Sequence, residues 1–445
     1  MKKVLALVLC TLMLLGAAGA SADTLTYDAA SEVNGGKPIT ISFWVQTELE
    51  PMYTKFCDSY TALHPNVTFE LTPASYEDHF TKLSMALANG TGPDMFHMHN
   101  SKTSLLVSNM KPYDPAVIDL DVLRANFAGV NECLVDGSLY YLGLGRMTAG
   151  IFYNSQLWRE AGLTDADIPK TWDALREVAK KLTKYNADDS IAVCGFCINQ
   201  QLEYLLQALN YQKGVPMFKK DSIEPLFNDT FKANLQWLID LYKVDKVGAP
   251  EIADMSALAF VQGTAAMVYN WTWLPTVMPQ YNPDMEYGYF NLPTWDGETP
   301  VAYDRNNMEV SPGLSKDISD EAYAVCNDFI RYILSNDELI VDFDLQFYLA
   351  PTKLSCAANE RIVSDPVLSA VSAIQERTVY PGTYPDAYHE ILRAKLYADI
   401  LVNNVDIDTA IQNAYKEIMD LDEFAEKQFT SLEGAYTYAD GFTYE

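Results

Sequence analysis

The sequence predicts an α/β protein of two or three lobes, and three observations carry that expectation. From residue 39 on, the chain sets apolar residues first at period two, then at helical spacing, and repeats the cycle. Strand, helix, strand, helix, strand is the succession of a parallel sheet with helices on its faces. The 445 residues exceed what one core of ordinary size accommodates. Apolar residues make up 49% and charged residues 20% of the chain, the balance of a folded protein rather than a disordered one.

Each element follows from its own pattern. Ile39, Ile41 and Phe43 alternate with Thr40, Ser42 and Trp44, which predicts a strand. Tyr53, Phe56, Cys57, Tyr60 and Leu63 fall at helical spacing, and His64-Pro65-Asn66 ends that helix. Val67, Phe69 and Leu71 alternate again. Tyr76, Phe80, Leu83 and Leu87 line one helical face, which stops at Asn89-Gly90-Thr91-Gly92-Pro93, and residues 95–98 are a short apolar strand. Residues 151–153 read as another strand. Trp172, Leu175, Val178, Ala179 and Leu182 form a helix face with Thr171 placed to cap it. Phe231, Leu235, Leu238, Ile239 and Tyr242 form a second such face, and Ala322, Val325, Phe329, Ile330 and Ile333 a third. Residues 391–425 read as helices, and no short repeat or low-complexity segment is visible.

Met1-Lys2-Lys3, the apolar run at 4–15 and the small residues Ala20 and Ala22 are the three parts of a secretory signal peptide cleaved after Ala22. The run is too short to span a bilayer. Cys10 lies inside it, so no lipid-anchoring cysteine follows the cleavage site, and an exported, periplasmic protein is expected. Residues 23–37 are polar and Gly-rich and read as a flexible leader. Sixty acidic residues against 31 basic ones give a formal charge of −29. Such a field repels phosphate backbones and anionic membrane surfaces, which disfavours nucleic-acid and peripheral-membrane roles. Cys57, Cys133, Cys194, Cys197, Cys326 and Cys356 are too sparse for a disulfide scaffold, although export permits disulfides. The pair Cys194 and Cys197 has the spacing of a redox or zinc half-site, but no second such pair and no thioredoxin-like context accompany it, so a structural role is expected.

Seven segments, in order, resemble one family. They are residues 39–44, His64-Pro65-Asn66-Val67, Gly90-Thr91-Gly92-Pro93-Asp94, Asp136-Gly137-Ser138-Leu139-Tyr140, residues 153–158 with Ala161-Gly162-Leu163, Pro169-Lys170-Thr171-Trp172-Asp173-Ala174-Leu175, and residues 260–267. Together they are similar to the extracellular solute-binding proteins of sugar-binding family 1, the group that includes maltose-binding protein. The resemblance implies a type II periplasmic-binding-protein-like fold: two discontinuous α/β lobes around a ligand cleft, joined by hinge crossings near 146–149, 300–307 and 349–351. One lobe would comprise 38–147 plus 302–349, the other 148–301 plus 350–445. It further implies capture of a mono- or oligosaccharide by lobe closure and delivery to the membrane permease subunits of an ABC importer. The expected protein is a monomer without catalytic activity, cofactor or metal.

A sugar offers hydroxyls on its rim and apolar C–H faces, so its cleft needs aromatic planes and polar side chains. Trp271 and Trp273 stand two apart and share a face if extended. The resemblance implies that Trp273 stacks on sugar, while Trp271 stands where the family usually has Gly. Trp44 ends the first strand, where α/β proteins hold ligands, and Gln46 and Glu48 follow it. His97 and His99 alternate and would share a strand face, which makes a metal site conceivable, but no third ligand is spaced nearby. Asn100 and Ser101 in the following loop are ligand candidates, and Asp94 braces the turn before them. Arg146 at the first crossing and Asp304, Arg305 and Asn306 at the second add polar candidates. Two arginines could grip a carboxylate and favour an acidic sugar, or could pair within this acidic protein. Asn199, Gln200 and Glu203 open a helix where the resemblance implies contacts, and Tyr384 and Tyr388 occupy its late aromatic segment. Trp158, Trp172 and Trp237 read as core.

Other function classes stay open on the residues alone: a binding protein for a metal, peptide or polyamine, a secreted glycoside hydrolase with paired carboxylates, or an adhesin or sensor partner. The sequence has no G-x-S-x-G, no H-E-x-x-H and no phosphate-cradling Gly loop.

Overall fold

The computed structural model describes residues 25–219, 222, 224–382, 386–421 and 441–443. The signal-peptide residues 1–22, Tyr384 and residues 422–425 of the C-terminal helical reading lie outside the described residues. A five-stranded sheet runs in the order Val67–Ala74, Ile39–Gln46, Met95–Phe96, Gly313–Ser315, Met110–Lys111. Its first three strands are parallel, and Gly313–Ser315, arriving from far along the chain, is antiparallel to both neighbours. Ile41, Phe43 and Val45 of the second strand are fully buried. They pack under the helices Glu50–Leu63 and Asp320–Ser335, whose rings meet where Tyr60 and Phe329 lie 5.1 Å apart. The helix Tyr76–Ala88 begins where the Ser75 hydroxyl accepts the Asp78 N–H, and its residues Phe80, Leu83 and Leu87 are buried. Asp94 braces its turn by accepting from the Ser42 N–H and hydroxyl at 2.9 and 2.7 Å.

The second sheet is organised on one long strand, Gly143–Asn154. Its residues 149–154 pair with Met267–Trp271 and Tyr287–Phe290. Its residues 143–148 pair with Asp304–Val310 and Ala350–Pro351. Thr148 lies opposite Asn306, Met147 opposite Asn307, and Arg146 opposite Met308 on one side and Ala350 on the other. The three chain segments expected to cross between lobes therefore meet side by side in this sheet. Around it stand the helices Trp172–Leu182, Leu202–Gln212, Asp229–Lys243 and Ile407–Met419. Thr171 caps the first of these by accepting the Ala174 N–H. Trp158 and Trp172 are buried in this half, and Trp237 packs its ring 5.7 Å from that of Trp172.

The structure corrects three expectations and refines the helical reading of the late segment. Residues 25–37 are docked rather than loose: Leu25 and Val33 are buried, and the Tyr27 hydroxyl donates to Asp328 at 2.6 Å. The apolar strand at 95–98 is confined to Met95–Phe96, and beyond it the two histidines part company: His97 faces Tyr53, while His99, in extended geometry, bridges Glu309 and lines the cleft. Trp271 ends its strand and Trp273 caps the helix Leu274–Tyr281, so the two do not share an extended face. Between the helices Asp386–Leu392 and Ile407–Met419 the chain winds as a π-helical stretch, Arg393–Val402.

Candidate ligand cleft

A cleft of about 370 Å³ opens between the two sheets, within the size range of small-molecule sites of roughly 300–1,000 Å³. From the side of the five-stranded sheet it receives Tyr76, His99, Asn100 and Ser101. The strand Asp304–Val310 supplies its floor. There alternate residues face opposite ways, so Arg305, Asn307 and Glu309 are half-buried at the cleft while Asp304, Met308 and Val310 are buried behind. Asn306, although buried, also reaches the lining. Trp271 and Trp273 come from the end of the strand Met267–Trp271, Tyr204 from the helix Leu202–Gln212, and Tyr380 and His389 from the late segment.

Of the residues expected from the sequence, the structure brings Trp271, Trp273, Asn100, Ser101, Arg305 and Asn306 into the lining. Trp44 is half-buried against the core of the first sheet, and its carbonyl accepts the His97 N–H at 2.8 Å. Gln46 turns its amide to Glu48 at 2.8 Å, outside the lining. Arg146 is buried and paired with Glu132 at 2.6 Å, so the two-arginine grip reduces to Arg305 alone. Asn199 donates to the carbonyls of Ala249, Pro250 and Ala253 and holds together the loop there. Gln200 takes a positive φ of 57° before the helix begins. Glu203 is fully buried and paired with Arg393 at 3.0 Å. Asp304 accepts from the Tyr269 hydroxyl at 2.8 Å behind the cleft floor. Tyr388 is fully buried, its ring 5.1 Å from that of Phe218.

The lining residues that sequence reasoning missed are mainly aromatics hidden in helical patterns. Tyr76 counted as one more apolar residue on a helix face. Tyr204 follows Glu203, and one helical step of about 100° turns the acid inward and the tyrosine toward the cleft. Glu309 was legible only through the period-two alternation of Asp304–Val310.

The electrostatics of the lining are simple. Burial pushes the Glu309 carboxyl up to about 8, with His99 Nε2 3.9 Å from it. His99 Nδ1 shares a hydrogen with the Ser101 hydroxyl at 2.6 Å. Burial, with Arg305 and Arg393 nearby, holds His389 well below its ordinary value. Among the described residues, Arg305 is then the one permanent charge in the lining. Its guanidinium lies 4.0 Å from the Tyr204 ring centre and 4.7 Å from that of Trp271. Trp271, 8% exposed, therefore gives a face to Arg305, whereas Trp273 keeps part of its surface open. His97 points away, with Nδ1 3.1 Å from the Tyr53 hydroxyl. Among the described residues no group of three or more His, Cys, Asp or Glu could hold a metal, and no helix is long and apolar enough to cross a membrane. The six described cysteines, Cys194 and Cys197 among them, are free and buried.

Comparison with known proteins agrees with this architecture. The family model described as bacterial extracellular solute-binding protein matches residues 45–325. The chain is 29% identical over 350 residues to the arabinooligosaccharide-binding protein of Bacillus subtilis, covering 75% of this chain and 76% of that one. It is 22% identical to the lactose-binding protein of Rhizobium radiobacter, covering 67% and 73%. Among solved structures, the maltose/maltodextrin-binding domain MalE from Bdellovibrio bacteriovorus bound to maltotriose superposes with a TM-score of 0.69 at 19% identity, over 86% of this chain and 99% of that one. UgpB from Mycobacterium tuberculosis in complex with glycerophosphocholine gives 0.72 at 17% identity, over 86% and 98%. At these identities the structures establish the fold, that of the type II periplasmic binding proteins, with two discontinuous α/β lobes around a cleft.

Proposed function

The chain belongs to the bacterial extracellular solute-binding proteins, and from that premise we propose that it captures a mono- or oligosaccharide in the cleft and delivers it to the permease subunits of an ABC importer. The observation that carries the proposal is the lining itself. Trp273, Tyr76 and Tyr380 offer aromatic surface for C–H faces, and Asn100, Asn306 and Asn307 offer amides for hydroxyls. A buried amide left without its partner costs about 1–3 kcal/mol, so such a rim also discriminates between ligands. The sugar-binding names of the arabinooligosaccharide- and lactose-binding relatives support the same class.

In this proposal the lobes are 38–147 plus 302–349 and 148–301 plus 350–445, and they close on the ligand about the strands that meet at 146–149. The protein acts as a monomer, catalyses no reaction and binds no nucleic acid. It is exported by a signal peptide cleaved after Ala22 and works in the periplasm.

A thermal-shift screen of the purified protein against saccharides, metals and amino acids tests the proposal. A ligand at a hundred times its dissociation constant adds about 2.7 kcal/mol, which raises the melting temperature visibly. A saccharide hit is expected. Stabilisation by a metal or amino acid with none by any saccharide would remove the carbohydrate assignment.

A further inference from the structure

Capture of a neutral sugar leaves Arg305 without a role. We propose that the ligand is anionic as well as polyhydroxylated, and that Arg305 receives its oxyanion, a carboxylate or a phosphate. This rests on the carbohydrate assignment of the cleft and narrows its substrate class.

The placement of the guanidinium is the first reason. Its central carbon lies 4.0 Å from the Tyr204 ring centre and 4.7 Å from that of Trp271, in the corner of two rings set at 73° to each other. Two cation–π contacts restrict the group at the cleft wall, and its N–H donors match an oxyanion in pairs. Trp271 thus works as a platform for the arginine.

The absence of a carboxylate partner is the second. The chain has 60 acids for 31 bases, and two other arginines near the cleft have carboxylate partners: Arg146 pairs with Glu132 at 2.6 Å and Arg393 with Glu203 at 3.0 Å. Among the described residues Arg305 enters no ion pair, and its buried Nε has no hydrogen-bond partner. The two acids whose fields reach it are committed elsewhere. Glu203 is held by Arg393, and Asp304 accepts from Tyr269 and from the Arg305 backbone N–H. A half-buried charge without a counter-charge is costly, and a ligand oxyanion would offset that cost.

The surroundings are the third. Glu309, the one carboxyl in the lining among the described residues, is pushed up to about 8 by burial, so near neutral pH it stands mostly protonated and does not repel an anion. In a chain of formal charge −29, a cleft whose single fixed charge among the described residues is positive is a local exception that suits an anionic ligand.

The test is titration calorimetry of the purified protein with matched pairs: neutral hexoses and short oligosaccharides against their uronic-acid counterparts and their phosphate esters. The acidic member is expected to bind at least about tenfold tighter than its neutral partner, a difference of about 1.4 kcal/mol. The carboxylate and phosphate arms identify which oxyanion is taken. In Arg305→Gln the ratio between acidic and neutral members should fall toward one, and Arg305→Lys, checked for folding by circular dichroism, should retain part of it. Equal or tighter binding of the neutral members overturns the proposal and leaves the carbohydrate assignment standing. Binding of inorganic phosphate or a simple carboxylate, with no saccharide of either kind bound, overturns the carbohydrate assignment and supports Arg305 as an anion receptor. No binding by any of them overturns both.

Discussion

The two tryptophans of the cleft differ in what their rings do. Trp271 spends its face on Arg305, whereas Trp273 has open surface. Trp273→Ala is therefore expected to weaken saccharide binding by about 2 kcal/mol, roughly thirtyfold, as a central aromatic contact does. The melting temperature of the unliganded variant should change little by comparison, and calorimetry beside thermal unfolding separates the two. Glu309 predicts a pH dependence of stability. Its folded value lies near 8 against an ordinary 4.5, so between those limits the folded state holds a proton that the unfolded state has lost. Stability then falls as pH rises through that window, by at most about 1.4 kcal/mol per unit from this group. Glu309→Gln never ionises, so its urea midpoint should drop less between pH 5 and pH 8 than that of the wild type; an equal drop would contradict the assignment. At this scale the sequence was a partial guide. Trp273, Asn100 and Arg305 stood out as polar or aromatic residues at loop and crossing positions. Arg146 looked equivalent to Arg305, because nothing local foretells that Glu132, fourteen residues away, would take it.

Among the elements, the strand Gly143–Asn154 positions the cleft, and glycine is required in it. A Cβ on Gly145 would meet Leu349 Cβ at 2.6 Å and the carboxyl of the buried Asp344. One on Gly150 would run into the Tyr289 ring. Gly145→Ala should destabilise the protein by about 1–3 kcal/mol, the usual cost of overpacking, read as a lower urea midpoint at unchanged slope. The helix Trp172–Leu182 offers a milder case: Thr171→Ala removes the acceptor of the Ala174 N–H and should cost about 1 kcal/mol. Elements buried on one face announced themselves. Ile39–Gln46 showed period two and Trp172–Leu182 helical spacing because solvent selects polar residues on their other side. Residues 143–152 are buried throughout, so no alternation marks them, and only 151–153 read as strand. The leader was misjudged for a related reason: Leu25 and Val33 are single apolar anchors in a polar stretch, too few to make a period.

The whole molecule was legible by a different route. Ordered short motifs resembled one family, and the fold and family followed, although no single motif carries either. The interleaving of lobes was beyond periodicity, since Gly313–Ser315 joins a sheet begun almost three hundred residues earlier only through long-range packing. In the proposed closure, crossing segments that meet as adjacent strands would give the chain a defined place to bend, because a few residues at element ends can absorb such a change. Capture of a saccharide between the lobes is the central claim, and small-angle X-ray scattering tests it most directly. With a saturating saccharide, the protein should show a smaller radius of gyration than without ligand, and Trp273→Ala should need more ligand to reach it. A radius of gyration unchanged by every saccharide, neutral or acidic, would contradict capture by closure.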